Sequence, residues 1–325
     1  MITRETYREY DAINYSTLSS LSKSPLDVHK EKDFSDGLRN GDMLDILCFD
    51  GEDAFAEKYY VSDLDESDMP SDTIKEIIDR SGDLSDESFL SIAKQINYGQ
   101  SWKEETVIRK ILEGGIRYID QLRAAGDRKI ISFELYADMK KASSMLLESP
   151  LTKRFFEEAE FQKPMTADLH VNDDHPEVEF KSLLDIYKEE DSKVIVGDLK
   201  YTSSPLRMFE YEYLRWRYDL QAAIYSDVAA ESTPRPVVFY NIVYSSFDNE
   251  VYPFKISKNT IARGRHGGFK ANGRFYKGYR ELAKEYLWHK SNDKWDLPYE
   301  FYVNDEIEIN PYSKLADNGS LIAQR

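Results

Sequence analysis

Apolar residues recur at helical spacing through much of the first half of the chain. Residues 16–25 indicate a short capped helix that ends before a proline, and residues 37–60 carry the next run of helical spacing. Residues 102–125, 132–147 and 151–158 are helical by the same criterion. The sequence therefore predicts a mainly helical region before about residue 160.

Near residue 166 the apolar spacing changes from helical to alternating, which is typical of β-strands. Three strands are predicted in a row, at residues 166–171, 178–187 and 192–201, with turns between them. The elements that follow are a long aromatic helix at about 205–230, strands at 236–244 and 251–256, and an amphipathic helix at 273–289. This order predicts an α/β (α+β) fold in which a central mixed β-sheet is flanked by helices.

A strongly acidic stretch at residues 62–101 interrupts the helical region, and its charge pattern favours a solvated helical insertion. We expect helices inside it at 72–79 and 86–97. The predicted organisation is a helical N-terminal region at 1–130, a core at 131–306 and a polar tail at 307–325.

Cysteine and histidine usage limits the metal chemistry that the chain can carry. The single cysteine, Cys48, excludes an internal disulfide and a four-cysteine zinc or iron–sulfur site. The five histidines show no spaced pair, so no zinc site is expected. No apolar run is long enough to span a membrane and no secretory signal is visible, so a cytoplasmic protein is expected, with no membrane partner.

The net charge of −17 weighs against a nucleic-acid ligand, because duplex binding relies on cations placed against phosphates. Binding depends on a local patch, however, and metal-dependent nucleases gather carboxylates whose bound cations supply positive charge. The acidity therefore does not exclude nucleic acid.

Asp198 and Lys200 are two residues apart on a predicted strand, so their side chains share one face. Between them, Leu199 offers a backbone carbonyl. Asp185 lies near the end of the preceding strand, and a hairpin of this length can place it beside Asp198. Two carboxylates and a carbonyl suit Mg²⁺ or Mn²⁺, which lower the pKa of a bound water, and a lysine can stabilise developing negative charge.

The alternative interpretation of Asp198 and Lys200 is a surface ion pair, which would contribute about 0–1 kcal/mol to stability. The apolar run at 194–197 just before them indicates a buried strand instead. Charge at the end of a buried strand is costly unless it is used, which favours a functional site.

These residues resemble a known family. Asp185 with Gly197-Asp198-Leu199-Lys200 looks like the PD-(D/E)XK nuclease signature, and Asp198-Leu-Lys-Tyr-Thr-Ser-Ser204 resembles the corresponding run of RecE-type exonucleases, the exodeoxyribonuclease VIII-like branch. Gln221 and Tyr225 resemble the Gln-x-x-x-Tyr helix of the RecB-like branch. The serine-rich segment at 16–25, the helices at 137–159 and Trp295-Asp-Leu-Pro298 resemble other parts of the RecE-type domain. The resemblance covers about residues 14–301, apart from the acidic stretch.

The resemblance implies a restriction-endonuclease-like core and Mg²⁺- or Mn²⁺-dependent, 5′→3′ digestion of linear duplex DNA for recombination or repair in a bacterial or phage-infected cell. It implies that Asp185, Asp198 and the Leu199 carbonyl bind metal, that Lys200 serves the catalytic water, and that Gln221 and Tyr225 face the site. A homo-oligomer and a single-strand annealing protein as partner are implied as well. For Gln221 and Tyr225, packing of the helix on the sheet is the alternative.

The sequence departs from the family pattern at two positions. Asp45 stands where family members carry a histidine, and it can serve as a further metal ligand or pair locally. Gln162 stands near the place of a family glutamate, which would weaken one metal site. Candidate DNA-binding residues, taken from basic clusters at 207–217 and 263–277 and from the run after Lys200, are Thr202, Ser203, Arg215, Arg265 and Lys270.

Two other functions remain open from the sequence. One is a RecB-like nuclease with endonuclease or single-strand activity, although its iron–sulfur-bearing members are excluded by the single cysteine. The other is a DNA- or protein-binding module that keeps the fold without cleaving, which Asp45, Gln162 and the acidity favour. The presence of Asp185, Asp198 and Lys200 together favours catalysis.

Overall fold

The computed structural model describes residues 2–31, 35–65, 68–271 and 274–307, together with the backbone at 316–317 and 320–321. Gly273 and most of the predicted tail lie outside the described residues. Packing divides the chain into two units. The sheet unit comprises Met1–Asp42 and Ser144–Arg325, and the helical unit comprises Met43–Ser143. The first residues of the chain thus fold with the sheet, whereas a boundary near residue 130 was expected.

Through the end of the helical unit, the elements are α1 (Tyr15–Leu21), a 3-10 turn (Pro25–Val28), α2 (Asp36–Phe49), α3 (Gly51–Lys58), β1 (Tyr59–Ser62), α4 (Asp72–Arg80), α5 (Asp86–Gln95), α6 (Glu104–Ala125), β2 (Lys129–Ser132) and α7 (Phe133–Glu148). The later elements are α8 (Lys153–Phe156), β3 (Glu160–Leu169), β4 (Val178–Glu190), β5 (Lys193–Thr202), a 3-10 turn (Leu206–Met208), α9 (Phe209–Arg215), α10 (Tyr218–Glu231), β6 (Val237–Ser245), β7 (Glu250–Lys255), α11 (Lys258–His266), β8 (Gly267–Ala271), β9 (Arg274–Lys277), α12 (Tyr279–Asn292), α13 (Glu300–Val303) and the short pair β10 (Ala316–Asp317) and β11 (Ser320–Leu321).

The central sheet has five strands in the order β3-β4-β5-β6-β7. The β5–β6 pairing is parallel and the other pairings are antiparallel, so the sheet is mixed. The connection between the parallel strands runs through α9 and α10, because parallel neighbours need a crossover. The predicted fold class, a mixed sheet flanked by helices, is confirmed.

Helix α10 packs against β3, β4 and β6 and forms the centre of the core of the sheet unit. Its alanines Ala222, Ala223 and Ala229 are fully buried and allow close approach to the sheet. Val194 and Val196 of β5 belong to the same core cluster. Because side chains alternate along a strand, Asp198 and Lys200 lie on this face of β5 as well.

The long helix predicted at 205–230 is wrong, because the chain breaks between α9 and α10 at Arg217. This residue has a left-handed backbone with φ of 59°, which costs a non-glycine residue about 1–2 kcal/mol. Its guanidinium pairs with Asp219 at 3.1 Å and also bonds to the carbonyl of Lys277 at 2.5 Å. These tertiary contacts offset the cost of the break.

The amphipathic helix predicted to begin at residue 273 begins later, because the basic region at 263–277 has a structure of its own. This region forms the end of α11 and the antiparallel pair β8–β9, and α12 begins only at Tyr279. Gly267 turns the chain from α11 into β8 with φ of 64°. The glycines therefore mark a helix end and a hairpin.

The helical unit has a core of its own, formed by α4, α5 and α6. Ile77, Ile78 and Phe89 come from the acidic stretch and are at most 1% exposed. The helices predicted at 72–79 and 86–97 are present, but the interpretation of the stretch as merely solvated is wrong. Its acidic residues lie on the outer faces, while apolar residues at helical spacing pack against α6.

Candidate active site

Four polar residues lie side by side across the central sheet, one on each of four strands. Gln162 on β3 is in register with Asp185 on β4, since Phe161 pairs with Ile186. Ile186 pairs with Gly197, so the next position brings Asp185 opposite Asp198 on β5. Asp198 pairs with Asn241 on β6. We call Gln162, Asp185, Asp198 and Asn241 the polar row.

The backbone pairing of β4 with β5 stops just before Asp185. There the Asp185 carboxylate, in place of a backbone carbonyl, accepts the hydrogen bond from the next strand. Oδ2 accepts from the backbone N–H of Leu199 at 2.9 Å, and Oδ1 accepts from Gln162 Nε2 at 2.9 Å. Burial raises the pKa of Asp185 to about 7, and the Asp198 carboxylate adds to the shift. Gln162, which stands near the place of the family glutamate, therefore lies beside Asp185 and donates a hydrogen bond to it.

Asp198 lies at the centre of the site and is 2% exposed. Oδ1 accepts from Gln221 Nε2 of α10 at 2.5 Å, and Oδ2 accepts from Asn241 Nδ2 at 3.1 Å and from Lys200 Nζ at 2.5 Å. A buried carboxylate needs such partners, because an unpaired one is costly to remove from water. The structure thus brings Asp185, Asp198, Lys200 and Gln221 together.

Lys200 is held as a cation. Burial alone would lower its pKa, but its neighbours, with Asp198 the strongest of them, together outweigh burial and hold the pKa of Lys200 well above its usual range. Its Nζ lies 4.6 Å from the ring centroid of Tyr218, in a cation–π contact. Tyr15 of α1 also interacts electrostatically with Lys200, and its hydroxyl donates to the carbonyl of Trp216 at 2.7 Å.

Tyr225 packs in the core, as the alternative interpretation expects, and it also lies beside Gln221, while its role in the site stays a prediction. It is 8% exposed and belongs to the core beneath α10, and its hydroxyl interacts with the side chain of Gln221. Burial raises the pKa of Tyr225 well above its usual range, so the hydroxyl stays protonated. From this position in the core, Tyr225 can hold the side chain of Gln221 in place.

Several buried polar atoms around Asp198 have no hydrogen-bond partner. They are Gln221 Oε1, Asn241 Oδ1 and the hydroxyl of Tyr213, whose pKa is raised by burial and by the nearby carboxylates Asp219 and Asp198. Buried polar groups without a partner are rare, and each one points to a missing ligand or to function. Two amide oxygens beside two carboxylates are the hard oxygen donors that Mg²⁺ and Mn²⁺ prefer.

The carboxylates that meet here are Asp185 and Asp198. Among the described residues, no group of three or more histidine, cysteine, aspartate or glutamate side chains is placed to hold a metal ion. A cation at the polar row would therefore be held by two carboxylates with neutral oxygens, and the residues present fit that composition. Asp45, the other predicted ligand, lies in the α2 helix (Asp36–Phe49) and is assigned to the helical unit.

The five candidate DNA-binding residues are spread over the sheet unit. Thr202 is buried and hydrogen-bonds Glu212 at 3.3 Å, and Ser203 beside it is exposed. Arg265 binds both carboxylate oxygens of Asp227, through Nε at 2.7 Å and through Nη2, so its charge is neutralised locally. Lys270 lies in β8 and is partly buried, whereas Arg215 is exposed at the end of α9.

Sequence reasoning missed Asn241, Tyr15, Tyr213 and Tyr218 as site residues. Asn241 gave a signal, because it is the one amide inside the apolar strand run from Val237 to Val243, and a buried amide needs a partner. The tyrosines gave none, since the chain has 23 of them.

Comparison with known proteins adds evidence on the fold. No protein-family model and no curated protein sequence matches the chain. A crystal structure from Eubacterium rectale, described as a "Putative exonuclease", is similar, with a TM-score of 0.50 and 10% sequence identity over 96% of this chain and 97% of that one. At this identity the likeness shows a shared fold and nothing finer. Within the described residues, no helix combines the length and apolarity needed to cross a membrane.

Proposed function

We propose that this protein is a divalent-metal-dependent deoxyribonuclease that hydrolyses phosphodiester bonds at the ends of linear duplex DNA. The observation that carries the proposal is the polar row, in which Asp185 lies opposite Asp198 with the Lys200 ammonium bound to Asp198. The exonuclease description of a protein with a similar fold supports the same reaction class.

The metal site would be formed by the carboxylates of Asp185 and Asp198, with the Leu199 carbonyl and the amide oxygens of Gln221 and Asn241 close by. A bound Mg²⁺ or Mn²⁺ supplies Lewis acidity and lowers the pKa of a coordinated water. Gln162, Gln221 and Asn241 fix the orientation of the two carboxylates through hydrogen bonds of 2.5 to 3.1 Å, so that little reorganisation is needed on binding.

Lys200 would act on the reacting phosphate. Its neighbours, above all Asp198, keep it charged, and its side chain is 16% exposed, so a substrate phosphate would have to enter the site to meet the ammonium. A fixed cation in a water-poor site stabilises negative charge that develops on the phosphate oxygens. Tyr218 and Tyr15 confine the lysine chain, which keeps the ammonium beside the polar row.

Action on duplex ends in a 5′→3′ direction, a homo-oligomeric state, a single-strand annealing partner and a role in recombination all rest on the family resemblance, whereas the cytoplasmic location rests on the expectations from the sequence. They complete the proposal and are separable from the phosphodiesterase chemistry. The alternative of a module that binds without cleaving is an outcome of the same experiment.

The test compares linear and circular duplex DNA incubated with wild type in Mg²⁺, Mn²⁺ or EDTA. We expect metal-dependent loss of linear DNA alone. Lys200→Ala should lose about 100-fold or more of the rate, as when a charge-stabilising donor is removed. The matched control is Lys193→Ala on the same strand, a lysine that is paired with Glu190 outside the polar row and whose loss should leave the rate unchanged.

Equal activity of Lys200→Ala and wild type would contradict the assignment of the site. If all substrates stay intact in both metals, the proposed nuclease function fails. Cleavage of circular DNA would replace the exonuclease by an endonuclease with the same chemistry.

A further inference from the structure

The outer face of α9 and the residues at its end carry aromatic and cationic side chains that the site chemistry does not use. Met208, Tyr211 and Arg215 follow at i, i+3 and i+7 and share one face of the helix. Tyr211 is 58% exposed and Met208 is 40% exposed, and the next residue after the helix, Trp216, is 43% exposed. Arg207 precedes the helix and is also exposed.

Two cations lie close to the ring of Trp216. Arg215 lies 5.1 Å from the centroid of its indole ring, and Lys23 from the segment after α1 lies 5.8 Å from it. We call Lys23, Arg207, Tyr211, Arg215 and Trp216 the α9 platform. Exposed apolar surface that is grouped with charged residues in this way is typical of binding sites.

The cations of the α9 platform are not neutralised locally. In the part of the chain that the structure describes, Lys23, Arg207 and Arg215 form no salt bridge with a carboxylate. By contrast, Arg217, Arg265 and Lys277 are all engaged in ion pairs. On a protein of net charge −17, free cations beside exposed rings favour a partner that offers both negative charge and flat aromatic faces.

The α9 platform borders the polar row through the same short segment. The carbonyl of Trp216 accepts from the Tyr15 hydroxyl, and Tyr15 interacts with Lys200. Two residues beyond Trp216, the ring of Tyr218 contacts Lys200 Nζ. On its inner side α9 buries Phe209 and Tyr213, and Tyr213 interacts electrostatically with the Asp219 and Asp198 carboxylates. A strand bound along the outer face would therefore pass beside the site.

We propose that the α9 platform binds single-stranded DNA, with an unpaired base stacked on Trp216 or Tyr211 and its phosphates against Lys23, Arg207 and Arg215. Bases stack on exposed rings without sequence preference, while cations follow the backbone. The inference rests on the proposed function in one respect, since the platform would guide an unpaired strand at a DNA end to the polar row. Binding itself requires no cleavage.

The test measures binding of a labelled twelve-nucleotide oligothymidylate to the full chain in EDTA, by anisotropy and by quenching of tryptophan fluorescence. Wild type should bind it with quenching, and more tightly than a blunt duplex of equal length. Trp216→Ala should lose most of the quenching and about 10-fold in affinity, whereas Trp216→Phe should keep most of the affinity. Trp102→Ala, which removes a 45% exposed tryptophan of the helical unit, is the matched control and should bind as wild type does.

Arg215→Ala should also weaken the salt dependence of binding. The slope of log K against log salt should fall by about one, which corresponds to the loss of one phosphate contact. Its control is Arg154→Ala, an exposed arginine outside both basic clusters that likewise lies over a ring, that of Phe155. Equal affinity of Trp216→Ala and wild type, or equal binding of the duplex, would overturn the proposal. If the platform binds as expected but no metal supports cleavage, the proposed nuclease function fails and the single-strand site stands.

Discussion

At the scale of single residues, the polar row explains how charge is tolerated on a buried sheet. Every carboxylate oxygen in the row accepts at least one hydrogen bond, and Lys200 balances one of the two negative charges. The second charge is not balanced, and burial together with the nearby Asp198 carboxylate raises the pKa of Asp185 to about 7. A bound cation would remove this imbalance, so the strain at Asp185 is consistent with a metal site.

Asp185→Asn should change the pH dependence of stability in EDTA. The pKa of Asp185 is about 7 in the folded chain and near 4 in the unfolded one, so between these values the folded state holds the extra proton. The free energy of unfolding of wild type, relative to the variant, should therefore fall as pH rises from 5 to 7 and level off above that. Urea titrations at several pH values measure it.

The control for this measurement is Asp83→Asn at an exposed aspartate, whose pKa is lowered by the side chain of Ser85 and which therefore stays ionised throughout the range. Its difference from wild type should be flat from pH 5 to 8. A flat difference for Asp185→Asn as well would show that Asp185 is ionised in the folded chain.

At the scale of elements, the site depends on how α10 is held over the sheet. Gln221 reaches Asp198 only because α10 starts anew after Arg217 and lies on β3, β4 and β6. Helix α11 packs against α10 at Gly264, where a Cβ atom would lie 2.0 Å from the Asp219 carbonyl oxygen and 3.0 Å from Ala223 Cβ. The close approach of these two helices thus fixes the distance of Gln221 from the sheet.

Gly264→Ala should therefore lower the free energy of unfolding by about 1–3 kcal/mol, because α11 has to move away from α10. Cleavage should fall with it, since α10 carries Gln221. Gly41→Ala is the control, because no atom lies within 4 Å of the added Cβ in α2, and alanine favours the helix by up to about 1 kcal/mol. Urea unfolding of both variants checks this, and equal stability of the two would contradict the packing argument.

At the scale of the whole molecule, the chain carries a charge of −17, so two effects of added divalent cations must be separated. Any salt reduces self-repulsion by screening, while a specific site binds only the folded state. The acidic residues of the helical unit lie mainly on outer faces, away from its core of α4, α5 and α6. Stabilisation by screening should therefore be the same whether or not the polar row can bind a cation.

Mn²⁺ should raise the Tm of wild type beyond the effect of NaCl at equal ionic strength. At a hundredfold excess over Kd a single site adds about 2.7 kcal/mol. Asp198→Asn should lose this excess and keep the NaCl effect, because the variant removes a ligand and leaves nearly all of the surface charge. Thermal scans in both salts measure it, and the same Mn²⁺ response in wild type and variant would attribute the stabilisation to screening alone.

The sequence by itself determined the local part of this site. Strand alternation placed Asp198 and Lys200 on one face, and the short hairpin placed Asp185 beside them, because both relations depend on nearby residues. The fold class followed from the order of helical and alternating segments. The ends of the elements near residues 217 and 274 did not follow from the sequence. Distant partners hold Arg217 in its left-handed conformation, and they hold the hairpin after α11.

Only the tertiary structure decided which residues complete the site. Asn241 is 43 residues away from Asp198, and the parallel register of β5 and β6 makes them neighbours. Tyr15 comes to Trp216 from 201 residues away. The periodicity of a strand fixes which face a side chain is on, but not which strand lies beside it or in what register. Those choices depend on how the whole core packs, and the core alone placed amides and tyrosines around Asp198.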